Sequence, residues 1–198
     1  MELKVNGNSV DITLEDEKTI GDVLKSFEEE ASKNKATTIN IKVDGKEITS
    51  EDFDNAIKHP IEDSTLIELT VISQDDILDS FAKSKKGIDL ITTQMELVPV
   101  LLQSGKDSDV SSTIQQLANE IDTFCHVSTL CALFPDLYKN IKIDDKDIAE
   151  FFENFAPVLQ EFEEALEAKD SVTVGDLAEY EISPRLQKIS EAIQNILK

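Results

Sequence analysis

Residues 66–91 read LIELTVISQDDILDSFAKSKKGIDLI, and within them the spacing of the apolar residues changes. Up to Ile72 they form the short β-rich run of a strand. From Ile77 they recur as Ile77, Phe81, Ser84, Ile88 and Ile91, in steps of four, three, four and three, with Ser84 the one polar interruption. That is the a/d spacing of a helix seam. The change at Ser73 divides the chain into residues 1–73 and residues 74–198. No low-complexity tract or Pro/Gly/Ser linker lies between them, so the junction is short. The expected class is α+β, with strands and short helices before the junction and long helices after it.

Composition narrows the function. The chain has 198 residues, with Lys+Arg 19 against Asp+Glu 41, a formal net charge of −22. Both parts are acidic: residues 1–73 carry 8 Lys against 17 Asp/Glu, and residues 74–198 carry 11 basic residues against 24 acidic ones. Arg185 is the one arginine. Phosphate and base-edge recognition rests on Arg and Lys clusters, so no nucleic acid is expected as a partner. The same charge is repelled by an anionic membrane surface, and no apolar run reaches the roughly 18 residues of a membrane span. The N-terminal MELKVNGNSVDI lacks the basic and apolar regions of a signal peptide. A cytoplasmic location, without membrane insertion, is the expectation.

The first part reads strand, strand, helix, strand, strand, short helix, strand. Glu2–Val5 and Ser9–Leu14 flank Asn6-Gly7-Asn8, a hairpin turn. Thr19 begins an amphipathic helix with the stripe Ile20, Val23, Leu24 and Phe27. Ile39, Ile41 and Val43 alternate into Asp44-Gly45, followed by Lys46–Ile48. Ser50, Asp52 and Asp54 start a short helical turn through Phe53 and Ile57 that Pro60 closes, and Leu66–Ile72 is the last strand.

On these residues the segment 1–73 resembles the ubiquitin-like β-grasp domains. The resemblance is carried by the hairpin MELKVNGNSVDITL, the helix start KTIGDVLKSF, the pair INIKVDGKEIT, the turn DFDNAI and the closing strand STLIELTVI. TIGDVL also resembles the helix start of the sulfur carriers of thiamine and molybdopterin synthesis. Modifiers and carriers of that family act through a C-terminal Gly-Gly. Here the last strand runs into Ser73-Gln74-Asp75-Asp76, and the chain closes on Asn195-Ile196-Leu197-Lys198. The ferredoxin branch needs four clustered cysteines, and residues 1–73 contain none. The family's remaining use, as a docking module, is what the resemblance implies.

After Asp75 the pattern predicts four long helices. The first seam continues through Met95, Val98 and Leu102, with Pro99 late in the helix and Gly105 ending it. The second is Val110, Ile114, Leu117, Ile121, Phe124, Ser128 and Cys131, stopping near Phe134-Pro135. The third is Ile148, Phe152, Phe155, Leu159, Phe162 and Leu166, widened to one side by Phe151, Val158 and Ala165, with Pro157 midway. The fourth begins near Thr173, where Thr173 and Asp176 have capping-box spacing, and carries Ile182, Leu186, Ile189, Ile193 and Ile196 with a bend at Pro184. Short connections favour antiparallel neighbours. The expectation for 74–198 is therefore an antiparallel four-helix bundle, and the competing arrangement is a hairpin pair completed by homodimerisation.

Few residues read as chemistry. Cys125 and Cys131 lie six apart, pointing about 120° from one another on a helix, which suits core packing better than zinc, and two Cys in a reducing compartment are not expected to form a disulfide. His126 follows Asp122 by four and reads as a rim pair. A di-iron bundle needs repeated Glu-x-x-His, and neither His59 nor His126 supplies it. Asp144-Asp145-Lys146-Asp147 fails the calcium-loop rule, because Ala149, Glu150 and Ala156 fall where a ligand, Gly and Glu are required; these Asp cap the third helix. Gly105-Lys106 has Val100 where a phosphate loop needs Gly. No catalytic, cofactor or metal residue is expected.

The candidates for a partner-binding surface are Phe151, Phe155 and Val158 on the widened third helix, and Asp176, Glu179 and Tyr180 near the bend of the fourth. Against them stand a satisfied core and an acidic solvated face. The functional expectation is a non-enzymatic protein–protein adaptor that docks partners through apolar helix faces on an acidic surface. One alternative is a cytoplasmic chaperone of a secretion or flagellar export system, on size, charge and helix pattern. Another is a small-molecule enzyme or sensor with a pocket between the domains.

Overall fold

A computed structural model describes the whole chain, Met1–Lys198. It is an α+β protein that divides into two compact units, Met1–Asp76 and Ile77–Lys198.

The first unit is built on one five-stranded sheet. Its elements are β1 (Glu2–Val5), β2 (Asn8–Val10), α1 (Ile20–Lys33), β3 (Ala36–Val43), β4 (Lys46–Glu47), α2 (Ser50–Ala56) and β5 (Leu66–Ser73). The strand order is β2-β1-β5-β3-β4, with β1 and β5 parallel and the other pairs antiparallel. β5 is central, and its Ile67 and Leu69 are 0% and 2% exposed. They form the core with Leu3 and with Ile20 and Val23 of α1, each worth roughly 1.5–3 kcal/mol of gross burial. The start of α1 is fixed by sequence chemistry. The Thr19 hydroxyl accepts from the Asp22 N–H at 3.2 Å, and the Asp22 carboxylate accepts from the Thr19 N–H at 2.9 Å, a complete capping box.

Two strand expectations are corrected. β2 stops at Val10, not Leu14: its pairing with β1 ends at Leu3 opposite Val10, and residues 11–14 have no sheet partner. And Ile39 does not share the buried face of Ile41 and Val43. The register of β3 against β5 slips between Thr38 and Asn40, a bulge that turns Ile39 out to 43% exposure.

The second unit is helical: α3 (Gln74–Gln103), α4 (Asp107–Cys131), the single turn α5 (Pro135–Tyr138), α6 (Ile148–Glu167), α7 (Ser171–Asp176), a π-helical segment (Leu177–Ile182) and α8 (Ser183–Ile196). α3 follows β5 without a loop. The predicted seam of α3 is buried, with Ile77, Phe81, Ile88, Met95 and Val98 each 0% exposed; in α6 the buried row is Phe151, Phe155, Phe162 and Ala165, while Ile148, Phe152, Leu159 and Leu166 of the predicted seam are half-buried. Neighbouring helices touch in a ring. Phe81 of α3 meets Phe124 of α4 at 6.0 Å between centroids, and Phe124 meets Phe152 of α6 at 6.1 Å. Arg185 of α8 lies 6.0 Å from the Phe155 ring of α6. The ring closes where the Ser183 hydroxyl donates to the Thr92 carbonyl (3.4 Å) and the Glu96 carboxylate (3.2 Å), and the Ser190 hydroxyl donates to Asp89 of α3.

The fourth long helix is not one regular helix. It starts at Ser171, where Asp170 is the cap and accepts from the Thr173 N–H at 3.1 Å, so Thr173 is inside the first turn. It then widens into the π-helical segment just before Pro184. A proline has no N–H and its ring crowds the carbonyl four residues back, here that of Tyr180, and a wider turn gives that carbonyl room. Pro99 and Pro157, by contrast, are carried inside continuous α-helices. As expected, Asp147 caps α6, its carboxylate accepting from the Glu150 N–H at 2.8 Å.

Candidate interaction surfaces

The clearest recess lies in the first unit, beside α1. β2 is an edge strand, and beyond Val10 the segment to Glu17 has no sheet partner. Val10, Ile12 and Leu14, at every second residue, line one side of the recess and are 40%, 39% and 41% exposed. Phe27, Ala31 and Val23 of α1 line it as well, together with Leu3 and Val71 of the sheet. The result is an apolar groove of about 440 Å³, within the size range of ligand and peptide sites.

The segment that forms one side of it is acidic: Asp11, Glu15, Asp16 and Glu17 fall in seven residues with no Lys among them, and of these Glu17 lines the groove itself. Glu17 accepts from the Ser26 hydroxyl at 2.8 Å, which ties the segment to α1. That hydrogen bond, first, and the backbone N–H groups around Glu17 and Glu15 hold the Glu17 carboxyl below the usual range, so it stays charged. Glu30 also lines the groove and is paired with Lys33 at 2.8 Å on the exposed surface.

A second, more polar recess of about 490 Å³ contains His59, Asp44, Lys46 and Asp52. Three of its charged groups are already partnered. Lys46 pairs with Asp52 at 3.1 Å, and Asp44 accepts from the Leu66 N–H at 2.9 Å.

Phe151 and Phe155 are 6% and 0% exposed and belong to an aromatic cluster with Phe152, at centroid distances of 5.5–6.2 Å. They are core, and the expectation that they face a partner is corrected: Phe152 beside them packs on Phe124 of α4, and Arg185 of α8 lies over the Phe155 ring. Val158 is half-buried, Asp176 exposed and Glu179 half-buried. Tyr180 is 63% exposed. Its hydroxyl is hydrogen-bonded to Glu179, and that bond, with the charge of Glu179, raises the phenol above its ordinary pKa. Asp176, Glu179 and Tyr180 thus fall at or within the π-helical segment, which the sequence presented only as a proline bend. Arg185 braces that segment, donating to the Glu181 carbonyl at 2.8 Å and its carboxylate at 2.6 Å.

Cys131 is fully buried, and burial pushes its thiol up to about 11. Burial and then the Asp122 carboxylate also raise Cys125. Both stay protonated at neutral pH and are poor nucleophiles or ligands. His126 is exposed and makes no hydrogen bond or ion pair with Asp122, so the expected pair is not formed. No helix is long and apolar enough to cross a membrane.

Sequence comparisons fall on the same two units. A family model described as the TP0873 N-terminal domain matches residues 1–73, and one described as a domain of unknown function, DUF8042, matches residues 79–192. An uncharacterized protein of Treponema pallidum (strain Nichols) is 27% identical over 193 residues, spanning 98% of this chain and 96% of its own length. The similarity therefore runs through both units. No solved structure matches the chain significantly.

Proposed function

The chain belongs to the family of the domain of unknown function DUF8042, and from that premise we propose that it is a non-enzymatic protein-docking module of the cytoplasm. Its first unit is a β-grasp domain of the ubiquitin-like kind and its second a four-helix bundle. The strand order, with parallel β1 and β5 in the middle and α1 across one face, supports the first assignment. The ring of contacts α3–α4–α6–α8 supports the second.

The observation that carries the proposal is the acidic-walled apolar groove beside α1. Val10, Ile12 and Leu14 are large aliphatic side chains left about 40% exposed where a folded partner segment can cover them. Covering three such side chains supplies a few kcal/mol of gross burial, reduced by the cost of ordering both surfaces. The acidic wall then chooses among apolar segments, favouring those flanked by Lys or Arg and speeding their encounter. Docking thus moves from the helix faces expected from the sequence to a groove in the first unit.

A random-peptide display selection on the immobilised full-length protein tests this. The expected enrichment is for apolar residues flanked by Lys or Arg, lost on an Ile12→Glu/Leu14→Glu protein whose circular dichroism is unchanged. Enrichment that survives those substitutions, or none at all, overturns the reading.

A further inference from the structure

We propose that α3 carries a self-association surface and that its occupant is a second copy of this chain, lying antiparallel to the first. The inference is independent of the groove beside α1.

α3 has two seams. One, through Phe81, Ile88 and Met95, is the buried core of its own unit. The other runs through Leu90, Thr93, Leu97 and Val100, in steps of three, four and three, and faces water: Leu90, Leu97 and Val100 are 59%, 51% and 58% exposed. A heptad-spaced apolar stripe is the form in which one helix packs along another, and the chain supplies nothing to cover it. Charge is withdrawn from the same place. In a chain with 30% charged residues, the 16 residues from Leu90 to Gly105 contain one, Glu96. Glu96 is turned toward α8, accepting from Ser183 and from Gln187 at 3.2 Å. Depletion of charge at an apolar centre marks the core of an interface.

Two features name the occupant. A basic partner would be met by carboxylates, as in the groove beside α1, whereas an uncharged stripe on a chain of net charge −22 suits a partner that is itself acidic. The ends of the stripe then make it self-complementary. On its N-terminal side stand Lys83 and Lys86, exposed and without an ion-pair partner; beyond its C-terminal end, α4 opens with the exposed Asp107 and Asp109. Two copies paired antiparallel about the midpoint of Thr93 and Leu97 set Leu90 against Val100 of the second copy. The same twofold brings Lys83 and Lys86 of each to Asp107 and Asp109 of the other, as an isologous contact requires. The stripe is about 15 Å long, so the interface belongs to the small class and the affinity is on the order of micromolar.

Analytical ultracentrifugation of the full chain, from about 1 μM to about 1 mM to bracket that affinity, decides the matter. The average mass is expected to rise toward twice the chain mass, and Leu97→Glu, at an exposed position, to weaken association by about a hundredfold. Lys83→Glu/Lys86→Glu is expected to weaken it, and adding Asp107→Lys/Asp109→Lys in the same chain to restore it. A single-chain mass throughout, or association untouched by Leu97→Glu, overturns the surface. Reversal that is not rescued overturns the antiparallel pairing.

Discussion

Gly21 sits in the first turn of α1, where its N–H donates to the Ile57 carbonyl at 2.9 Å. A Cβ added there would lie 2.8 Å from that oxygen and 3.0 Å from the Ile57 Cβ, against backbone that cannot step aside. Gly87, in α3, would instead meet the Glu120 carboxylate, the far end of a flexible side chain. Gly21→Ala is therefore expected to cost about 1–3 kcal/mol by overpacking, and Gly87→Ala to gain up to about 1 kcal/mol of helix propensity. Urea denaturation midpoints of the two variants should move in opposite directions. Asp22 supplies a pH test at the same scale. The Lys18 N–H, then the Thr19 hydroxyl and N–H, hold its carboxyl below the ordinary Asp value. Its contribution is present above the unfolded-state pKa, about 3.9, and is lost as pH falls through the lower folded value. Asp22→Asn should be less stable than the parent at neutral pH and should lose less on acidification below about pH 4, as read from denaturation curves at each pH.

At the scale of elements, the π-helical segment is where local rules and the fold part company. Pro184 removes a donor from the turn above it, and Arg185 braces the loosened turn through Glu181 and over Phe155. Arg185→Gln is expected to destabilise the protein by about 1 kcal/mol, less than a buried charged hydrogen bond would give because the pair is partly exposed. Arg185→Lys should recover only part of this, since an ammonium cannot hold carbonyl, carboxylate and ring together; thermal denaturation is the readout. The long seam of α3, and most of that of α4, were legible because an apolar residue every three or four positions has few other uses; in α6 two adjacent apolar rows compete, and the buried one includes Phe151 and Ala165. The start of α7 was not: Asp170 stands three before Thr173 as Thr173 stands three before Asp176, and spacing cannot choose between two caps. The bulge at Ile39 was equally silent, since alternation continues unbroken through an extra residue. Four residues of α5 are too few to leave a period.

At the scale of the whole molecule, charge and apolar surface are distributed rather than uniform. Carboxylates crowd the segment Asp11–Glu17 that forms one side of the groove beside α1, while the outer stripe of α3 is nearly free of them. That distinction was open to a sequence reading, because Asp11–Glu17 and Leu90–Gly105 differ so sharply in composition. What could not be read was which apolar residues stay outside. The Phe-rich stripe of α6 was open to either a core or a partner, and Phe151 and Phe155 are buried; Ile12 and Leu14 read as strand, yet the pairing of β2 with β1 ends at Val10 and leaves them outside the sheet. Binding in the groove should weaken as salt rises, since the acidic wall acts through screened charge. The direct test is to map, by amide chemical-shift changes on the full-length protein, where a peptide from the display selection binds. Shifts clustered on Val10–Leu14 and on Phe27–Ala31 of α1 are expected. Shifts confined to the helical unit, or to the recess around His59, would contradict it.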